Sequence, residues 1–213
     1  RPRDWSSDVC SSDLDDDVES IKKFSEKIPN ETKRLANLIK DIIDLSRIQS
    51  DNPLEEPEIV SVSNLISSAL DAVESIANKH NVKIQVNNGI KASVMGDEKQ
   101  LTTALKNLLV NAIYHTGDDN LVVINAMEGE YFVDIEVKDS GEGISTEDQL
   151  RIFERFYRVD TARSRNEGGS GIGLSLVKHI CNNHGGRAMV ESIPGKGASF
   201  TMQLPINQTL SDI

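Results

Sequence analysis

The sequence contains few aromatic residues and few cysteines, and it has no long apolar run. Aromatic side chains make up 4% of its 213 residues, which is too few for a stacking surface that binds single-stranded nucleic acid. Cys10 and Cys181 lie far apart, which excludes a disulfide framework and fits a reducing compartment. No apolar stretch approaches the roughly 20 residues that span a bilayer, and the start lacks the apolar core of a signal peptide. We expect a chain that is neither secreted nor embedded in a membrane, although it could be a piece of a protein that is.

Positive charge is also scarce. The chain has 23 Lys and Arg against 34 Asp and Glu, a net charge of −11, which argues against nucleic acid as a partner. Hydrophobic residues make up 38% and charged residues 27%, a composition typical of a globular domain rather than a disordered chain. The length allows one domain with an appendage or two small domains.

The N-terminal region falls into two parts. Residues 1–17 repeat Ser-Ser-Asp and run into three further acids; we interpret them as a disordered or non-native leader, with an ordinary acidic arm as the alternative. Residues 18–52 predict helical structure that Pro29 interrupts. After it, apolar residues recur at spacings of three and four, namely Leu35, Leu38, Ile42 and Leu45. This seam favours packing in a helical bundle, and the alternative is a helix packed on its own domain.

Residues 58–207 alternate between strand and helix patterns. Helices are predicted at 64–80, 97–116 and 175–186, and strands at 59–63, 82–87, 92–96, 120–139 (a hairpin), 187–194 and 199–205. This order predicts an α+β fold, a two-layer α/β sandwich in which a mixed sheet carries its helices on one face.

Two asparagines and an Asp-Gly loop are the first candidate site. Asn107 and Asn111 lie four residues apart on a predicted helix, so their amides share a face. They could hold Mg²⁺ together with substrate phosphates, or they could be ordinary solvent-facing residues. Asp139 ends a predicted strand and is followed by Gly141 and Gly143. It could accept a hydrogen bond from a ligand amine while the glycines admit the ligand, or it could stand in a plain turn.

Two further segments suggest a binding site for an anion. Residues 151–165 carry five arginines and two acids, which indicates either a phosphate site or a solvated basic face. Phe153, Phe156 and Tyr157 could anchor this segment. Gly169, Gly171 and Gly173 precede a predicted helix whose N-terminus could bind an anion. This is no dinucleotide fingerprint, because an Arg-rich loop precedes it instead of a strand; the phosphate loop and protein-kinase signatures are also absent from the sequence.

The ordered set of motifs closely resembles the ATP-binding domain of sensor histidine kinases, in the gyrase, chaperone, histidine kinase and mismatch-repair ATPase superfamily. NLLVNAIYHT resembles its asparagine box, DSGEGI and GGSGIGL its two glycine boxes, and IFERFYRVD its phenylalanine box. The resemblance implies that residues 18–52 form part of a dimerisation helical region and that residues 58–207 form the ATP-binding catalytic domain.

The resemblance also implies a role for each matching residue. Asp139 would accept the adenine amino group, His115 would lie beside adenine, Asn107 and Asn111 would hold Mg²⁺ and the phosphates, and Arg158 would contact the phosphates. The glycines would admit the nucleotide; they are Gly141, Gly143, Gly169, Gly171 and Gly173. Tyr114 stands where many members have a lysine, and Arg158 or Arg163 would compensate.

The implied activity is transfer of the γ-phosphoryl group of ATP to a histidine, with a response regulator downstream and a homodimer through the N-terminal helix. The four histidines are His80, His115, His179 and His184, and none lies in residues 1–79, so we expect the acceptor to be missing from this chain. We expect a cytoplasmic fragment whose parent reaches the membrane only through segments absent here. The alternatives are a non-catalytic dimerisation module with a degenerate site, an anti-sigma-type serine kinase, and a topoisomerase or mismatch-repair ATPase.

Overall fold

A computed structural model describes residues 57–87, 89, 91–159 and 170–206, together with six positions further towards the N-terminus. The chain divides into two compact units, residues 1–40 and residues 41–213. In the first unit, Thr32, Leu35, Ala36 and Ile39 have helical backbone and are exposed. The predicted leader and the seam residues Leu38, Ile42 and Leu45 lie outside the described residues.

The second unit is built around two sheets. In chain order its elements are β1 (Glu58–Ser61), α1 (Val62–Lys79), β2 (Lys83–Asn87), β3 (Ser93–Gly96), α2 (Glu98–His115), β4 (Leu121–Glu128), β5 (Phe132–Lys138), α3 (Thr146–Gln149), α4 (Gly173–Asn183), β6 (Arg187–Ser192) and β7 (Ala198–Pro205). A five-stranded sheet has the order β2-β4-β5-β7-β6, and β1 pairs with β3 in a small second sheet. The predicted α+β fold is confirmed, and each predicted element lies within a few residues of its expected position.

The large sheet is mixed because of one crossover. β2 pairs with β4 in parallel, and the other neighbours are antiparallel. Parallel neighbours need a long connection that leaves the sheet, and α2 lies in this one. The turn of the β4–β5 hairpin covers residues 129–131.

The helices cover one face of this sheet. Alternate residues of the central strands are buried, as in Val122, Ile124 and Ala126 of β4 and Val133, Ile135 and Val137 of β5. α2 packs between α1 and α4 and contacts the central strands. Its predicted stripe is fully buried, from Leu101 to Ala112. The two-layer sandwich with helices on one face is therefore observed.

The ends of the helices explain their positions. Asp97 caps α2, since its carboxylate accepts the N–H groups of Lys99 (2.9 Å) and Gln100 (3.1 Å). α4 ends at Asn183, and Gly185 follows in a left-handed conformation with φ 70°, which ends a helix with little strain when the residue is glycine.

No helix in the described part of the chain is both long enough and apolar enough to cross a membrane.

Candidate nucleotide site

The two asparagines lie on one face of α2, beside the start of α4. Asn107 donates its Nδ2–H to the carbonyl of Thr103 (2.8 Å), which directs its Oδ1 away from its own helix. A Cβ atom at Gly173 would lie 3.0 Å from that oxygen. Asn111 lies one turn further along α2 and is half-buried. The structure therefore places an oriented amide oxygen next to a helix N-terminus, where backbone N–H groups attract anions.

Asp139 follows β5 and is 4% exposed. Its Oδ1 accepts the N–H groups of Gly141 (2.9 Å) and Ala198 (3.2 Å), and Oδ2 takes part in neither bond. Burial raises the pKa of Asp139 above its ordinary value, although these N–H groups and His115 oppose the shift. A buried acid whose second oxygen is not used by those bonds can accept a hydrogen bond from a ligand amine.

The first glycine loop is shaped by the protein's own backbone. A Cβ at Gly141 would lie 1.8 Å from the carbonyl oxygen of His115, at the end of α2. Gly143 has φ 72°, and a Cβ there would lie 2.3 Å from the carbonyl oxygen of Ile193. Glycine is thus required at both positions to bring the loop against α2 and the β6–β7 turn. Whether these glycines also admit a nucleotide stays a prediction.

The second glycine loop contacts the segment of aromatic residues and arginines that begins at Arg151. The N–H of Phe156 donates to the carbonyl of Gly171 (2.8 Å), and both residues are left-handed, with φ 63° and 71°. Arg158 follows two residues later and is half-buried. Gly169 and Arg163 lie outside the described residues, so their predicted roles stay predictions.

Two of the predicted phosphate-binding arginines contact the protein itself. The guanidinium of Arg151 lies 4.3 Å from the ring centre of Tyr157 and forms a 3.3 Å ion pair with Glu154. Arg155 Nη2 lies 3.2 Å from His179 Nε2 on α4. At these two positions the positive charge serves local packing.

The aromatic residues of this segment differ in role. Phe153 packs edge-on against Phe200 of β7, with ring centres 6.4 Å apart, and the hydroxyl of Tyr157 donates to Asp148. Both anchor the segment as expected. Phe156 is 62% exposed, so its predicted anchoring role is wrong, because its side chain points away from the core.

Tyr114 and His115 end α2. The Tyr114 ring packs edge-to-face against His80, the residue that caps α1, with centres 4.8 Å apart. His115 is exposed, and its positive form favours the Asp139 carboxylate. Where many family members carry a lysine, this chain therefore has Tyr114, whose ring forms an aromatic contact between two helices.

A polar cluster behind Asp139 was missed from the sequence. The hydroxyl of Ser140 donates to Asp119 and lies 3.3 Å from both Thr116 Oγ1 and the Gly117 nitrogen. It joins the loop after α2 to the loop after β5. The signal was a run of short polar residues and glycine on both sides, but such runs also occur in plain turns.

The structure also limits the kind of metal site. Among the described residues no group of three or more His, Cys, Asp and Glu side chains could hold a metal ion. Mg²⁺ commonly takes only one or two protein ligands and completes its shell with water and phosphates. The oriented Oδ1 of Asn107 fits that arrangement.

The fold is a mixed sheet with one helical layer. The site combines an amide-bearing helix, an Asp-Gly loop and a glycine-rich helix start. Together they define an ATP-binding domain of the histidine kinase type. Residues 96–208 match the family model of the Histidine kinase-, DNA gyrase B-, and HSP90-like ATPase. The chain belongs to this family, and its resemblance to sensor histidine kinases is confirmed.

The chain is similar in sequence to curated bacterial sensor proteins. The chain is 40% identical over 190 residues to the sensor-like histidine kinase SenX3 of Mycobacterium tuberculosis, covering 89% of this chain and 46% of SenX3. It is 30% identical to the phosphate regulon sensor protein PhoR of Pseudomonas aeruginosa, covering 87% and 43%. The chain thus spans less than half the length of these curated relatives.

Solved structures share the fold. Full-length ShkA in complex with AMPPNP superimposes with a TM-score of 0.73 at 22% identity, covering 90% of this chain and 40% of ShkA. The catalytic domain of the histidine kinase ThkA gives a TM-score of 0.60 at 27% identity, covering 70% of this chain and 95% of that one.

Proposed function

We propose that this chain is the kinase core of a sensor histidine kinase, which donates the γ-phosphoryl group of ATP to a histidine outside this chain. The observation that carries the proposal is the placement of Asn107 against Gly173, together with the burial of Asp139 at the end of β5 in the same domain. These groups suit the phosphates and the adenine amine respectively.

Each side chain would have a distinct task. Asp139 Oδ2 would accept the adenine amino group, and the exposed ring of His115 would lie beside the base. Asn107 and Asn111 would hold Mg²⁺, which neutralises charge on the phosphates when bound. Arg158 would contact the phosphates, and the glycine loops, including Gly169, would admit them. Catalysis would then depend on positioning and charge stabilisation rather than on a protein nucleophile.

The partners follow from the same proposal. Residues 18–52 would contribute to a homodimeric helical bundle, and residues 58–207 would act on its acceptor histidine. A response regulator would receive the phosphoryl group. The parent protein would reach the membrane through segments outside this sequence.

Calorimetric titration with AMPPNP, with and without Mg²⁺, tests the nucleotide site. We expect Mg²⁺-dependent binding that Asp139→Asn abolishes, because an amide at Oδ2 offers a donor to the adenine amine. Asp134→Asn is the matched control, since Asp134 lies on β5 and accepts a 2.8 Å bond from Gln203 on the open face of the sheet. Binding by the Asp139→Asn variant at the affinity of the unmodified chain would contradict the assigned role.

Phosphoryl transfer needs a separate assay. The chain is mixed with radiolabelled ATP, Mg²⁺ and a separate polypeptide carrying the dimerisation helices with their histidine. We expect acid-labile label on that polypeptide and none on this chain. Nucleotide binding without any transfer would favour a non-catalytic module.

A further inference from the structure

His184 lies at the end of α4 and is 6% exposed. Its Nδ1 lies 2.7 Å from the carbonyl oxygen of Ile180, and its Nε2 accepts the backbone N–H of Asp97 at 3.0 Å. A carbonyl can only accept and an N–H can only donate. Both contacts are therefore satisfied only by a neutral imidazole that carries its proton on Nδ1.

Gly96 makes this approach possible. A Cβ at position 96 would lie 2.2 Å from Cδ2 and 2.6 Å from Nε2 of His184. Any other residue would push the imidazole away from the start of α2. Asp97, which receives the bond, is also the N-cap of α2. The imidazole thus joins the C-terminal end of α4 directly to the N-terminal end of α2.

The candidate nucleotide site lies near the middle of α2 and at the other end of α4. Asn107 lies ten residues after Asp97 along α2, which is about 15 Å of helix. There its Oδ1 faces Gly173, the first residue of α4. Because helices are stiff over this length, a link at one end sets the axial position of the groups at the other.

We propose that His184 is a positioning residue for the nucleotide site: its neutral imidazole holds α2 in register with α4, and protonation weakens nucleotide binding by breaking the bond to Asp97. The proposal rests on the proposed function, since it takes the nucleotide to lie between Asn107 and Gly173. Protonated imidazole places an N–H opposite the Asp97 N–H, and two donors repel.

The direction of the pH dependence follows from burial. Burial lowers the pKa of His184 below 6.5, and the Ile180 carbonyl and the Asp97 carboxylate oppose this shift. In the described part of the chain, Asp97 is the charged group that acts on the ring, and Gly96 packs against the ring. A base whose pKa is lower in the folded state stabilises the fold fully above the unfolded value. That contribution is lost as pH falls from about 6.5 through the folded pKa.

Two substitutions at position 184 distinguish the contributions of the two ring nitrogens. His184→Gln keeps an acceptor near the place of Nε2, and His184→Asn keeps a donor near Nδ1 but removes the acceptor for Asp97. The dissociation constant of Mg²⁺–AMPPNP is measured by calorimetry at several pH values on both sides of the ordinary histidine pKa. We expect the unmodified chain to lose about fivefold or more in affinity at the acid end.

The two variants are expected to differ in their affinity for Mg²⁺–AMPPNP and in its dependence on pH. We expect His184→Gln to bind as the unmodified chain does at neutral pH and to lose the acid dependence. We expect His184→Asn to bind about fivefold more weakly at every pH. Any acid dependence that arises elsewhere in the protein or in the nucleotide remains in both variants, so the difference from the unmodified chain isolates His184. Equal affinities and equal pH curves for all three proteins would overturn the proposal.

A spectroscopic measurement distinguishes this failure from failure of the proposed function. The ¹⁵N–¹H signal of the Asp97 amide should shift as His184 titrates, should be retained in His184→Gln and should move in His184→Asn. An Asp97 signal that ignores the titration overturns the link itself. If the link titrates as expected but no protein binds AMPPNP at any pH, the nucleotide assignment has failed instead, and the positioning role is overturned with it.

Discussion

Asp139 shows a conflict between stability and binding at a single residue. Its carboxylate is buried, and burial raises its pKa, so the folded protein holds the proton more tightly than the unfolded chain. Asp139→Asn keeps an acceptor for the N–H groups of Gly141 and Ala198 while removing the buried charge. We expect this variant to be more stable than the unmodified chain by about 1 kcal/mol at neutral pH, measured by urea unfolding.

The sign of this effect fixes its pH range. An acid whose pKa is raised by folding contributes most to stability below its unfolded value of 3.8, and the contribution is lost as pH rises through the folded pKa. The advantage of Asp139→Asn should therefore grow on raising the pH and vanish at strongly acidic pH. An advantage that stays constant with pH would show that charge burial is not its cause.

Gly141 gives a second prediction at the scale of one residue. Gly141→Ala would place a Cβ atom 1.8 Å from the carbonyl oxygen of His115, so either the loop or the end of α2 must move. We expect a loss of about 2 kcal/mol or more in the free energy of unfolding. Gly89→Ala is the control, because nothing lies within 4 Å of its Cβ position. It should be neutral or slightly stabilising, and equal effects at both sites would refute the steric argument.

At the scale of elements, the open face of the sheet is held by a row of side-chain hydrogen bonds. Asn87 Nδ2 donates to Asn125 Oδ1 (2.9 Å), Asn125 Nδ2 donates to Glu136 Oε2 (2.6 Å), and Ser199 donates to the other oxygen of Glu136. The row crosses β2, β4, β5 and β7. Cross-strand pairs of this kind stabilise a sheet face that none of the described helices covers.

A double-mutant cycle tests this row. We expect Asn125→Ala and Glu136→Ala to be coupled by about 0.5–1.5 kcal/mol in chemical denaturation, because each removes the partner of the other. Asn125→Ala combined with Gln203→Ala is the control, since Gln203 lies two strands away and bonds to Asp134. Additivity in the first cycle would mean that the row contributes no measurable stability.

The elements themselves were predictable, whereas their long-range partners were not. Period-2 and helical spacing predicted the strands and the buried stripe of α2, because those patterns arise from burial of one face. The bond from Asp97 to His184 joins residues 87 positions apart, and no local pattern encodes it. The charge of residues 151–165 left a phosphate site and a solvated basic face as alternatives, and the contacts of Arg151 with Tyr157 and of Arg155 with His179 became visible only in the fold.

At the scale of the whole molecule, the candidate site residues could be proposed because the order of their motifs along the chain is specific to one family. Asn107 and Asp139 come from separate elements, and each alone is weak evidence of a site. Physical reasoning from spacing could not show that α2 and β5 end side by side, with Gly141 against the His115 carbonyl. The family resemblance supplied the proposed roles, and the roles of all the site residues stay predictions.

The N-terminal helix provides the last prediction, which concerns assembly. Leu35, Ile39 and Ile43 have helical backbone, recur every four residues, and are 58%, 52% and 47% exposed. Large apolar side chains at helical spacing favour a partner helix, and we expect the chain to be a dimer in sedimentation experiments. The triple variant Leu35→Lys, Ile39→Lys and Ile43→Lys should be monomeric, because charges in a helix seam oppose burial. Asp41→Lys is the control, since position 41 lies outside the four-residue apolar repeat of the sequence. AMPPNP affinity should not change in either variant; a triple variant that remains dimeric would place the interface elsewhere.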